Sequence, residues 1–373
     1  MERYDVVVAG VGGMGSAALY HLAQRGQRVL GLERFDVPNE LGSSHGITRI
    51  IRLAHFEHGS YVPLVQRAYE LWRELETEVG ERFLHVTGAV DAGGALYEGS
   101  LRSCLEFGLP HETVDGGELH RRFPAYRLPA DLPVLLQPDG GFLMPELCIV
   151  AHVGAAKARG AAVSSGERVL GWEATGHAVH VMTDQRTVVA ERLVLTAGAW
   201  SQEVARLPAD LVVAERQVLV WFEPIRPELF AVERFPVFNL EIEHEHLYGF
   251  PVFGIPGFKA GRYHRGGERV ASPDGMTRDQ TAEDESSLRP LLERYFPDGA
   301  GRVLSLRVCP FEASPDEDFI VDVHPESERV VVAAGFSGRG FKFCSVIGEI
   351  LADLALAGET RHDIARLRLS RFT

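Results

Sequence analysis

The feature that most constrains the fold is a glycine-rich turn in the opening segment DVVVAGVGGMGSAALYHLAQRGQRVLGLER. An apolar run ends at Ala9, glycines follow, a helical pattern continues to about Gln24, and a second apolar run ends at Glu33. Glu33 stands 18 positions after Gly15, the last glycine of the turn. A GxGxxG turn between a strand and a helix, with an acidic residue at this distance, is typical of a dinucleotide-binding βαβ unit.

Each part of this turn has a physical task in binding a dinucleotide. Gly10 permits the tight turn, Gly12 lets the backbone approach a pyrophosphate, and Gly15 lets the helix pack closely on the strand. The free N–H groups and the positive dipole end of the helix then face the phosphates. We expect Glu33 to accept hydrogen bonds from a ribose. The alternative is a glycine-rich turn without a ligand, and the fingerprint by itself serves NAD and FAD equally.

The chain length and the order of patterns predict two domains. At 373 residues the chain exceeds the size at which one hydrophobic core usually keeps growing. Helical patterns cover residues 61–80, 145–161 and 281–296, and a β-rich, aromatic stretch covers 211–262. We predict a discontinuous cofactor domain of residues 1–82, 143–210 and 302–373, and a second domain with an antiparallel sheet of residues 83–142 and 211–301.

Composition excludes several other classes of protein. A hydrophobic fraction of 45% and a charged fraction of 24% are those of an ordinary soluble globular protein. The net charge of -14 argues against a nucleic-acid partner, which requires a basic surface. Apolar runs stay well short of a membrane span, and the chain enters a strand at once, so we expect neither a membrane anchor nor a signal peptide. The four cysteines form no CxxC pair, so we expect a cytoplasmic protein without disulfides or a metal site.

Five residues stand out as candidates for chemistry. Arg49 and Arg52 lie three positions apart in GSSHGITRIIR, so they could share one face and hold a carboxylate, or they could be ordinary solvated arginines. Lys259 interrupts an apolar, β-patterned stretch, and Lys342 lies in GFSGRGFKF at the start of the last helix. Cys309 precedes a proline in an acidic segment. It is either a thiol whose sulfur is used or an ordinary buried one.

The chain resembles the monomeric sarcosine oxidases and N-methyltryptophan oxidases, which are flavoenzymes of the D-amino acid oxidase superfamily. The resemblance runs nearly end to end and rests on SSHGITRIIR, YVPLVQRAYELW, LYGFPVFGIPGFK, the segment 309–322 and AAGFSGRGFKF. It implies an α/β fold of two domains. One is a Rossmann domain of the glutathione-reductase type that binds FAD, and the other is a catalytic domain built on an antiparallel sheet.

The resemblance also implies roles for individual residues. Cys309 matches the cysteine bonded to the 8α-methyl carbon of the flavin, a role that we expect to require an exposed thiol. Arg52 and Lys342 match the pair that binds the substrate carboxylate, and Lys259 matches the lysine that activates oxygen. Tyr248 matches an active-site tyrosine. The catalytic residues implied are Lys259, Arg49, His45, Tyr248 and His264, the last with one extra residue separating it from Lys259.

The remaining implied residues bind the cofactor, and one position departs from the family pattern. The implied FAD-binding residues are Gly10, Gly12, Gly13, Met14, Gly15, Glu33, Arg34, Ser44, His45, Thr48, Arg49, Val169, Ala197, Gly198, Trp200, Cys309, Gly335, Gly338, Gly340, Phe341 and Lys342. Phe311 stands where sarcosine oxidases have an active-site tyrosine, which bears on substrate preference.

Together these inferences predict an FAD-dependent oxidase of secondary amino acids. The expected reaction converts sarcosine and oxygen to glycine, formaldehyde and hydrogen peroxide, catalysed by a monomer. The alternative within the enzyme class is a cyclic or bulkier amine such as pipecolate, proline or N-methyltryptophan. The alternatives from other classes are a NAD(P)-dependent dehydrogenase and a non-catalytic flavin-binding protein.

Overall fold

The protein is described by a computed structural model that covers residues 2–263 and 268–372. The strands in chain order are β1 (Arg3–Ala9), β2 (Val29–Glu33), β3 (Arg49–Ile51), β4 (Leu84–Val86), β5 (Ala89–Ala92), β6 (Glu112–Asp115), β7 (Pro133–Gln137), β8 (Gly141–Leu143), β9 (Ala162–Ser165), β10 (Val169–Ala174), β11 (Val179–Thr183), β12 (Thr187–Leu195), β13 (Val213–Phe222), β14 (Val237–Ile242), β15 (Glu245–Phe250), β16 (Phe258–Arg262), β17 (Glu268–Val270), β18 (Val303–Ala313), β19 (Ile320–His324) and β20 (Ser327–Ala334). The α-helices are α1 (Gly13–Gln24), α2 (Tyr61–Val79), α3 (Gly94–Phe107), α4 (Gly116–Arg122), α5 (Pro145–Ala158), α6 (Ser201–Val204), α7 (Ala282–Ser286), α8 (Arg289–Tyr295) and α9 (Cys344–Ala357).

The first large sheet is the Rossmann-type sheet. Its strands follow the order β10-β11-β12-β1-β2-β9, and β20 pairs with the end of β12 and with β19. β1, β2, β9, β12 and β20 run parallel, as βαβ connections require. Side chains of β1 alternate between two cores, with Val6 and Val8 facing the helices α1, α5 and α9, and Val7 facing the opposite core. This burial on both faces explains the continuous apolar run in the sequence.

The second large sheet is almost entirely antiparallel. Its order is β17-β13-β16-β15-β14-β5-β7-β6, with β18 also paired along β13, and only β14 and β5 are parallel neighbours. Its core is rich in aromatic side chains, which pack edge to face and stacked, among them Tyr126, Phe230, Phe235, Phe238, Phe258 and Phe296. A third sheet, β3-β8-β4, has three strands. The predicted class, an α/β fold with a second antiparallel sheet, is confirmed.

The predicted domain division stays a proposal, and one segment needs adjustment. The sequence analysis assigns residues 302–373 to the cofactor domain. However, β18 pairs with β13 from Val213 opposite Ala313 to Phe222 opposite Val303, so this strand is built into the second sheet. We therefore propose that the chain returns to the cofactor domain after Ala313.

One local prediction also differs from the structure. Residues 281–296 form two short helices, α7 and α8, because Pro290 has no N–H to continue a helix through this position and instead occupies the first turn of α8. Arg49 lies in β3 and Arg52 just beyond it, and both side chains line one cavity, described below. The predicted helices at 61–80 and 145–161 do form. Among the described residues, the helices are too short or too polar to cross a membrane.

Candidate active site

The first of two neighbouring cavities lies at the carboxyl ends of the parallel strands β1, β2, β12 and β20, where dinucleotides bind in such sheets. Fifteen of the predicted cofactor residues line it: Gly10, Gly12, Gly13, Met14, Glu33, Arg34, Ser44, Arg49, Val169, Ala197, Gly198, Trp200, Gly338, Gly340 and Phe341.

The glycine turn forms one end of this cavity. A Cβ atom on Gly15 would lie 1.8 Å from the carbonyl oxygen of Gly10, so only glycine lets α1 approach the strand this closely. Gly12 faces open space, where a side chain would otherwise stand between the backbone and a ligand. Helix α1 begins at Gly13 without a side-chain cap, which leaves its first N–H groups free for an anion. These features fit the pyrophosphate of FAD.

Glu33, the last residue of β2, lines another part of the same cavity. Glu33 accepts hydrogen bonds from the backbone N–H groups of Val11, at 2.8 Å, and Phe35, at 3.1 Å, and burial raises the pKa of its carboxyl group. Beside it, Asp274 joins two predicted cofactor residues: it accepts from Nη2 of Arg34 and from Nε1 of Trp200, both at 2.8 Å. The loop that carries Asp274 follows β17 of the second large sheet, so this loop contacts two side chains that line the cavity.

Six predicted cofactor residues lie off the wall of the first cavity, namely Gly15, His45, Thr48, Cys309, Gly335 and Lys342. His45 is buried, and neither ring nitrogen has a hydrogen-bond partner among the described residues. Burial, with the nearby charges of Arg49 and Arg307, lowers the pKa of His45 to about 3. The imidazole is therefore neutral at physiological pH.

Cys309 is fully buried, so the expectation of an exposed thiol is wrong. It lies within β18, which pairs with β13, and its side chain packs against Leu219 and Trp221. The sulfur nevertheless lies beside polar groups: it is 3.7 Å from Nη2 of Arg49 and 3.5 Å from the carbonyl oxygen of Ser43. Burial raises the pKa of the thiol, while the charge of Arg49 opposes that rise.

The second cavity brings together most of the predicted catalytic and substrate-binding side chains. Arg49, Arg52, Tyr248, Lys259, Phe311 and Lys342 all line it. Arg49, Phe311, Gly338 and Phe341 line both cavities, so the two spaces share a wall. Burial raises the pKa of Tyr248, which keeps its phenol protonated. The predicted histidine, His264, lies outside the described residues.

The two cavity lysines are unusual in this chain and differ from each other. The sequence has only three lysines among its 38 basic residues, and Lys259 and Lys342 both line the second cavity. Lys259 donates to the carbonyl oxygens of Gly46, at 2.7 Å, and Thr48, at 2.8 Å, and to the hydroxyl of Thr48 at 3.1 Å. Burial beside Arg49 lowers its pKa, but three acceptors match the three N–H groups of an ammonium and favour the charged form.

Lys342 has a much poorer set of partners. Its Nζ donates only to the carbonyl oxygen of Arg339, at 3.3 Å, and among the described residues it makes no ion pair. Burial and the charge of Arg52 lower the pKa of Lys342 to about 7.

Arg52 is held by a buried carboxylate that sequence reasoning missed. Its Nε donates to Asp91 at 3.0 Å, and both side chains are almost fully buried. Asp91 also accepts from Ser100 at 2.8 Å, from Gln137 at 2.8 Å and from Asn239 at 3.2 Å. Because Asp91 binds Nε, the two terminal amino groups of Arg52 can bind a ligand in the second cavity. The sequence feature that could have indicated this buried carboxylate is an aspartate within the otherwise apolar strand AVDA.

A second ion pair on the cavity wall was also missed. Nη1 of Arg339 lies 3.0 Å from Glu57, and Glu57 also accepts from Nδ1 of His55 at 3.1 Å. Arg339 additionally donates to the carbonyl oxygen of Glu317. Arg339 lies in the motif GFSGRGFKF, whereas its partner Glu57 lies in the loop after β3. The motif alone therefore does not indicate this ion pair.

Comparison with known proteins now identifies the family. A family model described as FAD dependent oxidoreductase matches residues 5–354. The chain belongs to this family. The glycine fingerprint therefore belongs to an FAD-dependent enzyme, and the alternative of a NAD(P)-dependent dehydrogenase is wrong.

Relatives and solved structures agree along the whole chain. A monomeric sarcosine oxidase of Bacillus sp. (strain NS-129) is 39% identical over 377 residues, covering 99% of this chain and 97% of the relative. An N-methyl-L-tryptophan oxidase of Yersinia pestis (strain Pestoides F) is 34% identical over 373 residues, covering 99% of both. The structure of NikD, an unusual amino acid oxidase essential for nikkomycin biosynthesis, superposes with a TM-score of 0.87 at 27% identity, covering 99% of this chain and 98% of that one. The resemblance inferred from the sequence is confirmed, and the chain is an FAD-dependent amine oxidase.

Proposed function

We propose that this enzyme oxidises a secondary amino acid, and that sarcosine or another small N-methyl amino acid is its substrate. The observation that carries the proposal is the placement of two basic side chains, Arg52 and Lys342, on the wall of a cavity that shares Arg49 and Phe311 with the dinucleotide cavity. A carboxylate held by the two cations leaves an α-amino group one carbon away, close to the shared wall. Sarcosine oxidases and N-methyltryptophan oxidases among the relatives support this substrate class.

FAD held by the glycine turn and Glu33 would supply the redox chemistry, taking two electrons from the substrate and giving them to oxygen to form hydrogen peroxide. The protein supplies orientation and charge around that chemistry. Arg52, fixed through Nε by Asp91, presents its terminal amino groups to the carboxylate in a fork geometry. Tyr248 and Phe311 bound the space beside the amine, and Lys259 holds a buried positive charge where oxygen reacts. Such fixed charges act most strongly in a site from which water is excluded.

Further properties belong to the same proposal. We propose that Cys309 attaches the flavin covalently, supported by its contact with Arg49 beside the first cavity. We also propose a monomer, supported by the relatives named monomeric sarcosine oxidase, that works in the cytoplasm, supported by four cysteines that form no disulfide in the described structure.

A bulkier N-methyl amino acid is the second candidate substrate. Phe311 replaces a polar tyrosine with a ring that packs near Tyr263, at 5.9 Å between ring centroids, and this apolar wall favours a larger side chain. The relative named N-methyl-L-tryptophan oxidase supports the same alternative.

A peroxide-coupled screen of N-methyl and cyclic amino acids tests the function. We expect rapid peroxide production with at least one N-methyl amino acid and little with the same amine lacking its carboxylate. Lys342→Ala should weaken binding of the carboxylate-bearing substrate by about 1.5 to 3 kcal/mol, the range for hydrogen bonds to charged groups. Equal losses for both amines would show that Lys342 does not bind the carboxylate.

A further inference from the structure

The two cavity lysines differ in a way that bears on how the substrate amine loses its proton. Amines donate electrons only when neutral, whereas a free secondary amino acid at neutral pH carries an ammonium group and a carboxylate. The cavity must therefore remove one proton from the nitrogen while presenting a positive charge to the carboxylate. A group that is neutral before the substrate binds and cationic afterwards can meet both needs.

We propose that Lys342 is the proton acceptor: it is neutral in the free enzyme and takes the ammonium proton of the bound amino acid. The proton leaves the substrate nitrogen and forms the third N–H bond of Nζ, so the substrate becomes a neutral amine and Lys342 becomes the cation that pairs with the carboxylate. Charge and protons balance without exchange with solvent. The inference rests on the proposed function, since it assumes a substrate with an amine next to a carboxylate.

Geometry favours a neutral Lys342 before binding. The side chain is 4% exposed and has one hydrogen bond, at 3.3 Å, where Lys259 in the same cavity has three between 2.7 and 3.1 Å. An ammonium group with one weak acceptor is poorly stabilised when buried, while a neutral amine loses little. The pKa of about 7 follows the same causes, burial and the neighbouring Arg52.

The surrounding charges also favour proton transfer on binding. Among the described residues, the charged and titratable groups that act on Lys342 or share its cavity are Arg49, Arg52, His55, Glu57, Asp91, His246, Tyr248, Lys259, Tyr263, Glu317 and Arg339. Two of the nearby carboxylates are already paired, Asp91 with Arg52 and Glu57 with Arg339. An incoming carboxylate adds a negative charge beside Lys342 and so raises the affinity of Nζ for a proton.

The use of lysine at this position fits the role. Arginine supplies 35 of the 38 basic residues in the chain, and it stays protonated in proteins. Lysine is the basic side chain that can give up and regain a proton when buried. A site that needed only a permanent cation for a carboxylate would be served by arginine, as Arg52 serves it.

The first test measures protons and does not depend on turnover. Acetate has a carboxylate but no ammonium proton, so its binding to wild-type enzyme at pH 8.5 should take up nearly one proton, measured by calorimetry in buffers of different ionisation enthalpy. Lys342→Arg should bind acetate with no uptake, and Lys157→Arg, a surface control, should match wild type. If wild type binds acetate without taking up a proton, the proposal is overturned. This outcome does not depend on whether the Lys342→Arg variant binds flavin.

The second test uses the pH dependence of kcat/KM. In wild type we expect kcat/KM to rise as Lys342 loses its proton near pH 7 and then to level off. In Lys342→Arg the rise should continue, tenfold per pH unit, up to the pKa of the substrate's own ammonium group. Parallel profiles for the two proteins would make Lys342 a fixed cation only. Absence of any secondary amino acid oxidation in wild type would instead refute the proposed function and leave the acetate result standing.

Discussion

Replacement of Asp91 by asparagine should destabilise the protein strongly, because Asp91 is the only counter-ion that Arg52 contacts among the described residues. Asp91 has no exposed surface and accepts from Arg52, Ser100, Gln137 and Asn239 at 2.8 to 3.2 Å. Asparagine keeps one acceptor oxygen but turns an NH₂ group toward these donors. Removal of one partner from a buried ion pair costs roughly 3–5 kcal/mol, and we expect a loss of unfolding free energy in this range.

Equilibrium urea unfolding of the flavin-loaded proteins, followed by circular dichroism, measures this loss. Glu243→Gln is the control, since it removes an exposed ion pair with Arg294 and should leave the curve unchanged. The double variant Asp91→Leu with Arg52→Met removes both charges and should recover part of the stability. A loss below about 1 kcal/mol for Asp91→Asn would refute the reasoning, because it would mean that Arg52 is hydrated from the cavity and needs no buried partner.

Three further substitutions test the proposed site. Lys259→Met should slow flavin reoxidation by oxygen far more than flavin reduction, because the charge of Lys259 acts when electrons reach oxygen. Stopped-flow rates of the two steps measure this, with Lys157→Met as the control. Equal slowing of both steps would contradict the role assigned to Lys259. The acid-precipitated wild-type protein should stay yellow because its flavin is covalently bound, whereas Cys309→Ala should release its flavin. Cys104→Ala, the control, should behave as wild type. Release of flavin from the wild-type protein would disprove the covalent link. Gly15→Ala should abolish flavin binding, seen in the absorbance spectrum, because its Cβ would lie 1.8 Å from a backbone oxygen, and retained flavin would show that α1 can shift.

The sequence predicted the parts of the site that depend on local geometry. Strand, glycine turn, helix and Glu33 all lie within one βαβ unit, so spacing along the chain is enough to define their arrangement. Residue type and sequence context singled out Arg52, Lys259 and Lys342, and the family resemblance implied their roles; the fold brings them into one cavity although they come from three separate segments.

Features that depend on tertiary packing could not be predicted in this way. Asp91 is 39 residues from Arg52 in sequence, and their contact exists only because β5 lies in the second sheet near the end of β3. The burial of Cys309 follows from the pairing of β18 with β13, strands about 90 residues apart. An acidic local segment suggested exposure, but acidity of neighbours says little about which face of a strand a side chain occupies.

The near absence of lysine from the surface makes the enzyme a convenient object for protein chemistry. Lys157, exposed on α5, is the one lysine side chain open to an amine-directed reagent, since Lys259 and Lys342 are buried. A dye or a support attached through lysine would therefore be placed at a single defined position. Any slow second labelling would report transient opening of the catalytic cavity, and protection against it by a carboxylate ligand would give a direct readout of occupancy.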